Sequence, residues 1–250
     1  MFIGSSSGRR SGRSAVEPLL CAVPGLLRAG LGAALLCSLW WTSSTIAAPE
    51  RRRWAGHQVV VGEREVPFMG KLKTRTDTFV LAEVKEEDGA LEIIERPCQV
   101  SIAEVAGVEV RISEVGVARL PPVRVRYAAH KAGELAAGPW RSGWSEADTD
   151  QDGNPGITME VDAPLCGGRL FVSSQAESIA RARRTPQGLA GQLKVRLSQR
   201  ILGADGACLS ALASDTEERL RGTFRYTEVP EGTSCAALLK EGWPVSAEAP

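Results

Sequence analysis

Residues Thr76–Glu95 read TDTFVLAEVKEEDGALEIIE, two runs of alternating side chains on either side of Asp88-Gly89. Phe79 and Leu81 face one way while Val80 and Ala82 face the other, and Leu91 and Ile93 resume the alternation after the turn. Asp-Gly accepts the positive φ that a two-residue hairpin turn needs, so residues 76–95 read as a β-hairpin. The same pattern spreads in both directions. Val59 and Val61 alternate with Val60 and Gly62. Val108, Val110 and Ile112 interleave with Glu109, Arg111 and Ser113. Val123, Val125 and Tyr127 interleave with Arg124 and Arg126 after the Pro121-Pro122 break. Apolar-in, charged-out strands suit an antiparallel sheet with one wet face. No window in this half sustains a helical period, and His130–Gly138 reads as an Ala- and Gly-rich connection.

The second half continues in kind. Ile157–Val161 and Arg169–Ser173 alternate, Leu193, Val195 and Leu197 interleave with Lys194, Arg196 and Ser198, and Phe224 and Tyr226 centre a last strand. Ala176–Arg184 reads either as a short helix or as a basic loop, with Arg181, Arg183 and Arg184 a solvated face. Cys208–Leu212 and Cys235–Lys240 have room for a helical turn or two each. About nine to eleven short strands make the chain all-β, an antiparallel β-barrel of the lipocalin kind or a β-sandwich with short helical turns near the C-terminus. The even spacing favours the barrel, with residues 49–250 as one domain. The alternative is two β subdomains, 54–130 and 157–240, joined by an acidic loop at 139–156.

The first 48 residues read as a signal peptide. Ala29–Trp41 is an apolar run behind Arg28, followed by small residues that suit cleavage near Ala47-Ala48. The run is short for a membrane span, which needs roughly 20 residues; an uncleaved anchor is the competing reading, favoured by Arg51, Arg52 and Arg53. Export implies a periplasmic or secreted location and no stable span after cleavage. Over the whole chain 30 basic residues balance 30 acidic ones. Removing Arg9, Arg10, Arg13, Arg28 and Glu17 with the signal leaves 26 and 29, a charge of about −3 that gives no reason to expect nucleic acid. Cys98, Cys166, Cys208 and Cys235 remain, an even number that in an oxidising compartment argues for two disulfides. Of the three possible pairings the expectation is Cys208–Cys235, with Cys98–Cys166 stapling the halves.

The densest chemistry lies in Trp144–Gly168, WSEADTDQDGNPGITMEVDAPLCGG. Carboxylates at Asp148, Asp150 and Asp152 alternate ahead of Gly153, which permits a sharp turn. A hard cation such as Ca²⁺ takes six to eight oxygens, and alternate carboxylates converge on one point when the chain curls. This D-x-D-x-D-G stretch resembles the calcium loops of EF-hands and of thrombospondin type 3 and dockerin repeats. The resemblance implies Asp148, Asp150 and Asp152 as side-chain ligands, with Asn154 giving a backbone carbonyl. It ends after about nine residues: position twelve is Met159, Glu160 is one residue late, and Pro155 stands at position eight. The remaining oxygens must then come from elsewhere, with Glu146, Glu160 and Asp162 the nearest candidates and Glu160 counted with the expected metal ligands. The competing reading is a solvated turn.

Trp140 and Trp144 read as loop anchors rather than a stacking platform. His57 and His130 have no metal-ligand spacing, and there is no G-x-S-x-G, P-loop or Gly-rich dinucleotide turn. The chain as a whole resembles exported β-rich proteins of Gram-negative bacteria, which implies export and a β fold but no activity. Three functions follow as expectations: a barrel or sandwich that binds a small ligand or an envelope partner, its central loop ordered by Ca²⁺; a secreted hydrolase using acidic residues near Asp148–Asp162; or a structural envelope protein. A non-enzymatic role is favoured.

Overall fold

In a computed structural model that describes residues 52–66, 70–131, 133–164 and 166–250, the Asp88-Gly89 turn falls where the sequence places it. Both turn residues take positive φ, 51° and 74°, the geometry that matches the right-handed twist of paired strands. In chain order the elements are β1 (Arg52–Val66), β2 (Gly70–Glu87), β3 (Ala90–Ile102), β4 (Glu109–Ile112), α1 (Glu114–Arg119), β5 (Val123–Lys131) and β6 (Glu134–Trp144). They continue with β7 (Ile157–Asp162), β8 (Gly168–Thr185), β9 (Gly188–Ala204), α2 (Ala207–Leu212), β10 (Thr216–Val229) and α3 (Cys235–Glu241). The signal peptide expected at 1–48 lies outside the described residues.

Eight strands form an unbroken ring of antiparallel pairings in the order β1, β2, β3, β5, β6, β8, β9, β10 and back to β1. Its short pairings flank β5, which meets β3 over Leu91–Glu95 and β6 across the hairpin from Tyr127↔Ala137 to Lys131↔Glu134. The all-β barrel is therefore the architecture. The two-subdomain alternative fails because β1 and β10, from opposite ends of the chain, are neighbours over nine residue pairs. The remaining strands belong to insertions. β4 and α1 sit between β3 and β5 in sequence, and the acidic loop and β7 between β6 and β8. The insertions pair with each other, β4 on β7, and β7 on the first residues of β8.

Eight strands enclose a space just wide enough for side chains to fill. Trp54, Val80, Ala82, Val84, Leu91, Ile93, Tyr127, Leu189, Phe224 and Tyr226 fill it, all buried. Each large apolar side chain there stabilises by roughly 1.5–3 kcal/mol relative to exposure. The ring of Tyr226 lies against the backbone of β1 because Gly56 has no side chain; a Cβ there would stand 2.3 Å from Tyr226 Cε1.

Several sequence expectations need correcting. His130–Gly138 is not a connection: it closes the β5–β6 hairpin, and residues 139–144 belong to β6 rather than to the acidic loop. Ala176–Arg184 is neither helix nor loop but part of β8, its small inward residues Ser178, Ala180 and Ala182 buried between exposed Glu177, Ile179, Arg181 and Arg183. In the first half α1 is a helix of one and a half turns, too short for a periodic signal, started by Ser113, whose Oγ accepts from Gly116 N at 3.0 Å. The helical turns expected near the C-terminus are α2 and α3.

The disulfides pair differently from the expectation. They are Cys98–Cys235 and Cys166–Cys208, with Cα–Cα distances of 5.3 and 5.7 Å. Cys208 lies on α2, which follows directly from the end of β9 paired with the start of β8, close to Cys166. Cys235 opens α3 and is bonded to β3. The segment after α3 then crosses the outside of β1: Trp243 Nε1 donates to Gly56 O at 3.1 Å and Ala247 N donates to His57 Nδ1 at 2.9 Å. That second bond fixes the His57 tautomer, leaving Nε2–H to donate to Asp77 Oδ1 at 3.0 Å. The two disulfides are the covalent mark of an oxidising compartment. No helix among the described residues is long and apolar enough to cross a membrane.

Candidate metal centre in the inserted loop

β6 ends at Trp144, whose indole Nε1 donates to Val172 O on β8 at 2.6 Å; Trp140, on the same strand, packs against the core. Both tryptophans are anchors. The chain then leaves the barrel and is drawn back on itself. Gly156 N donates to the carbonyls of Glu146 and Ala147, each at 3.1 Å, and Thr149 N donates to Gly156 O at 2.9 Å. Closing so small a loop demands unusual backbone. Gly153 and Gly156 take φ of 90° and 78°, and Gln151 adopts 61°, a left-handed conformation rare for a residue with a Cβ.

The curl brings Asp148, Asp150 and Asp152 together, one oxygen of each lying within 4.8 Å of the others. Local backbone groups hold two of them in place. Asp148 Oδ1 and Oδ2 accept from Asp152 N and Gly153 N at 3.1 and 3.0 Å. Asp152 Oδ1 accepts from Asn154 N at 2.9 Å and Oδ2 from Thr158 Oγ1 at 2.5 Å. These contacts, the Thr158 hydroxyl foremost, lower the Asp152 carboxyl below its ordinary pKa, so it stays charged.

Asp150 differs from its neighbours. It is 7% exposed, Oδ2 accepts from Thr158 N at 2.9 Å, and Oδ1 is buried with no hydrogen-bond partner. A buried carboxylate oxygen without a donor costs roughly 1–3 kcal/mol. Three carboxylates this close also repel by about 1 kcal/mol per pair at the dielectric of water, and more in a less polar setting. Among the described residues none of the three forms an ion pair; Arg169, the cation that acts on Asp152 through space, is committed to Asp205. A cation at the cluster would remove both costs. The oxygen-only donor set fits a hard divalent ion.

The other expected ligands are placed differently. Asn154 contributes its N–H to Asp152, as above. Glu160 stands outside the carboxylate group, exposed on β7, opposite Arg111 and 4.0 Å from its Nε. Glu146 pairs with Arg200, and Asp162 ends β7. The loop also touches the other insertion: a Cβ on Gly116 of α1 would lie 3.8 Å from Asp150 Oδ2.

Inside the barrel lies a second polar constellation that the sequence reading passed over. Glu95, 6% exposed, accepts from Tyr226 Oη at 2.5 Å and from Gln58 Nε2 at 2.9 Å, and Gln58 Nε2 also donates to Tyr226 Oη at 2.8 Å. Burial raises the Glu95 carboxyl above its ordinary pKa, against the lowering effect of those two donors. The signal was present in the sequence: Glu95 is in phase with the inward Leu91 and Ile93.

No family model matches the chain, and neither a curated protein nor a solved structure matches it. The fold and site themselves define the class: an antiparallel β-barrel with two disulfides and a three-carboxylate loop inserted between β6 and β8.

Proposed function

We propose that this chain is an exported β-barrel protein whose Asp148–Asp152 loop binds a calcium ion, and that the ion orders the paired insertions for the binding of a ligand or envelope partner. The carrying observation is Asp150 Oδ1, a buried carboxylate oxygen without a partner beside two further carboxylates within 4.8 Å. A solvated turn has no reason to bury that atom. Calcium suits the site better than magnesium because it tolerates irregular oxygen cages and more ligands, whereas magnesium demands near-octahedral geometry and keeps its water. Asp148, Asp150 and Asp152 would hold the ion.

The ion's structural effect follows from what the loop touches. Asp150 bonds the first residues of β7 and lies beside α1, and β7 is the strand on which β4 pairs. Neutralising the cluster therefore secures both insertions along one side of the barrel. Binding fits this reading more naturally in surface grooves than in the lumen, whose core positions are filled. One groove of about 640 Å³ runs past Pro121, Pro122 and Val123 along Ser142–Ser145, beside the loop.

Thermal melting in calcium, magnesium and EDTA tests the proposal. A rise in melting temperature in calcium, smaller in magnesium and absent in EDTA, is expected. Superimposable melts in all three would reduce the loop to a turn.

A further inference from the structure

The Arg181–Arg184 run divides in the structure. Arg184 pairs with Glu86 at 2.5 Å, whereas Arg181 and Arg183 take outward positions on β8. The register carries the pattern across two more strands: Arg183 lies opposite Ala190 and that residue opposite Arg225, Ile179 opposite Lys194 and Arg221, and Glu177 opposite Arg196 and Arg219. One side of the barrel thus presents Arg181 and Arg183 from β8, Lys194 and Arg196 from β9, and Arg219, Arg221 and Arg225 from β10, all exposed. None of these seven is in an ion pair among the described residues. The carboxylates on the same rows are Glu177, held by Arg141 at 3.8 Å, and Glu217. Glu134 and Glu248 share a groove with Arg181, Arg183 and Arg225, the Glu248 carbonyl accepting from Thr223 Oγ1, and Pro250 shares another with Arg181, Lys194 and Arg221.

This concentration is local, since the whole chain has as many acidic as basic residues. Neighbouring strands lie about 4.8 Å apart and alternate residues about 6.8 Å apart. Both spacings are shorter than the Debye length of about 8 Å at physiological salt, so the charges act as one field. Unpaired like charges at that density repel one another, and an anionic partner relieves them.

We propose that this face docks the protein onto an anionic lipid bilayer. The array is broad and lies on the convex wall of a barrel, so it reads charge density rather than the shape of a small ligand. Its outward positions include no aromatic ring on which nucleic-acid bases could stack. Ile179, 48% exposed, sits among the cations, placed to enter the headgroup layer. The outward rows are charged instead of forming the apolar band of a membrane barrel, so the contact is peripheral.

Co-sedimentation of the full-length chain with phosphatidylcholine vesicles, with and without phosphatidylglycerol, tests this. The readout is the excess affinity that phosphatidylglycerol confers; any binding through Ala29–Trp41 is common to both vesicles and cancels. Each surface cation near an anionic leaflet contributes about fivefold. The triple variant Arg196→Glu, Arg219→Glu, Arg221→Glu should therefore lose the excess by roughly a hundredfold or more. The triple glutamine variant should lose somewhat less, and Lys85→Glu on β2 should lose little. All should keep the wild-type circular dichroism, and added salt should abolish the excess. No excess in the wild type, or an excess retained in both triple variants, overturns the proposal. Tight binding to a DNA duplex without a phosphatidylglycerol-dependent excess also overturns it and reassigns the face.

Discussion

Replacing Asp150 with Asn should change the sign of its effect on stability when calcium is added. The substitution is nearly isosteric and keeps an oxygen to accept from Thr158 N, as Asp150 Oδ2 does at 2.9 Å. It removes one of three charges that lie within 4.8 Å, relieving two repulsive pairs of about 1 kcal/mol each at solvent dielectric. Part of that gain is offset, because the new amide hydrogens must find acceptors in place of the partnerless Oδ1. In EDTA the variant should therefore be as stable as the wild type or better by up to about 2 kcal/mol. In calcium at a hundred times its dissociation constant the wild type gains about 2.7 kcal/mol by mass action, and the variant does not. For a chain of this size 1 kcal/mol moves the melting temperature by about 2–4 °C. The wild type should then rise by about 5–11 °C in calcium, and the two melting curves should exchange order between EDTA and calcium. Scanning calorimetry in both buffers reads this directly. A variant less stable by the same amount in both buffers would refute the reasoning, because Asp150 would then be a structural turn residue only.

Two further outcomes concern the barrel. Burial keeps the Glu95 carboxyl protonated to higher pH in the folded state than in the unfolded chain. Its contribution is therefore full below its ordinary value near 4.5 and is lost as pH rises through the folded value. Glu95→Gln should lack that decline, so urea melts from about pH 4 to pH 8 should show its stability improving relative to wild type; parallel profiles would contradict the assignment. The disulfides close separations of 137 and 42 residues, worth up to about 5 and about 4 kcal/mol in loop entropy. Cys98→Ser with Cys235→Ser should also speed hydrogen exchange at Ala247 N, which is held by His57, whereas Cys166→Ser with Cys208→Ser should leave that amide protected. Equal loss of protection in both would show that α3 does not depend on its own staple.

Strand identity was legible wherever inward and outward residues differed strongly in polarity, as in Val123–Tyr127. It failed where the inward residues are small. Ser178, Ala180 and Ala182 give too little hydrophobic contrast to reveal a strand, and Ala136 and Ala137 hid the β5–β6 hairpin in the same way. Pairing is not a local property, so the disulfides could not be chosen from spacing. They depend on α2 following a strand end beside β8 and on α3 crossing to β3. The three aspartates were legible because a loop's ligands are close in sequence. Their setting was not, since the burial of Asp150 is created by β7 and α1. The cationic face shows the same limit: outward Arg and Lys residues recur on β8, β9 and β10, but only the register makes them one surface. Glu95 was legible in principle, as a charge on the apolar phase of its strand, and its partners Gln58 and Tyr226 come from strands far away in sequence.

The most direct measurement is calorimetric titration of the metal-stripped protein with calcium, repeated on Asp150→Asn. One saturable site in the wild type, lost or strongly weakened in the variant, is the expected result. No binding heat across a range of temperatures in the wild type, together with a melting curve unmoved by calcium, would contradict the assignment of Asp148, Asp150 and Asp152 as a metal centre.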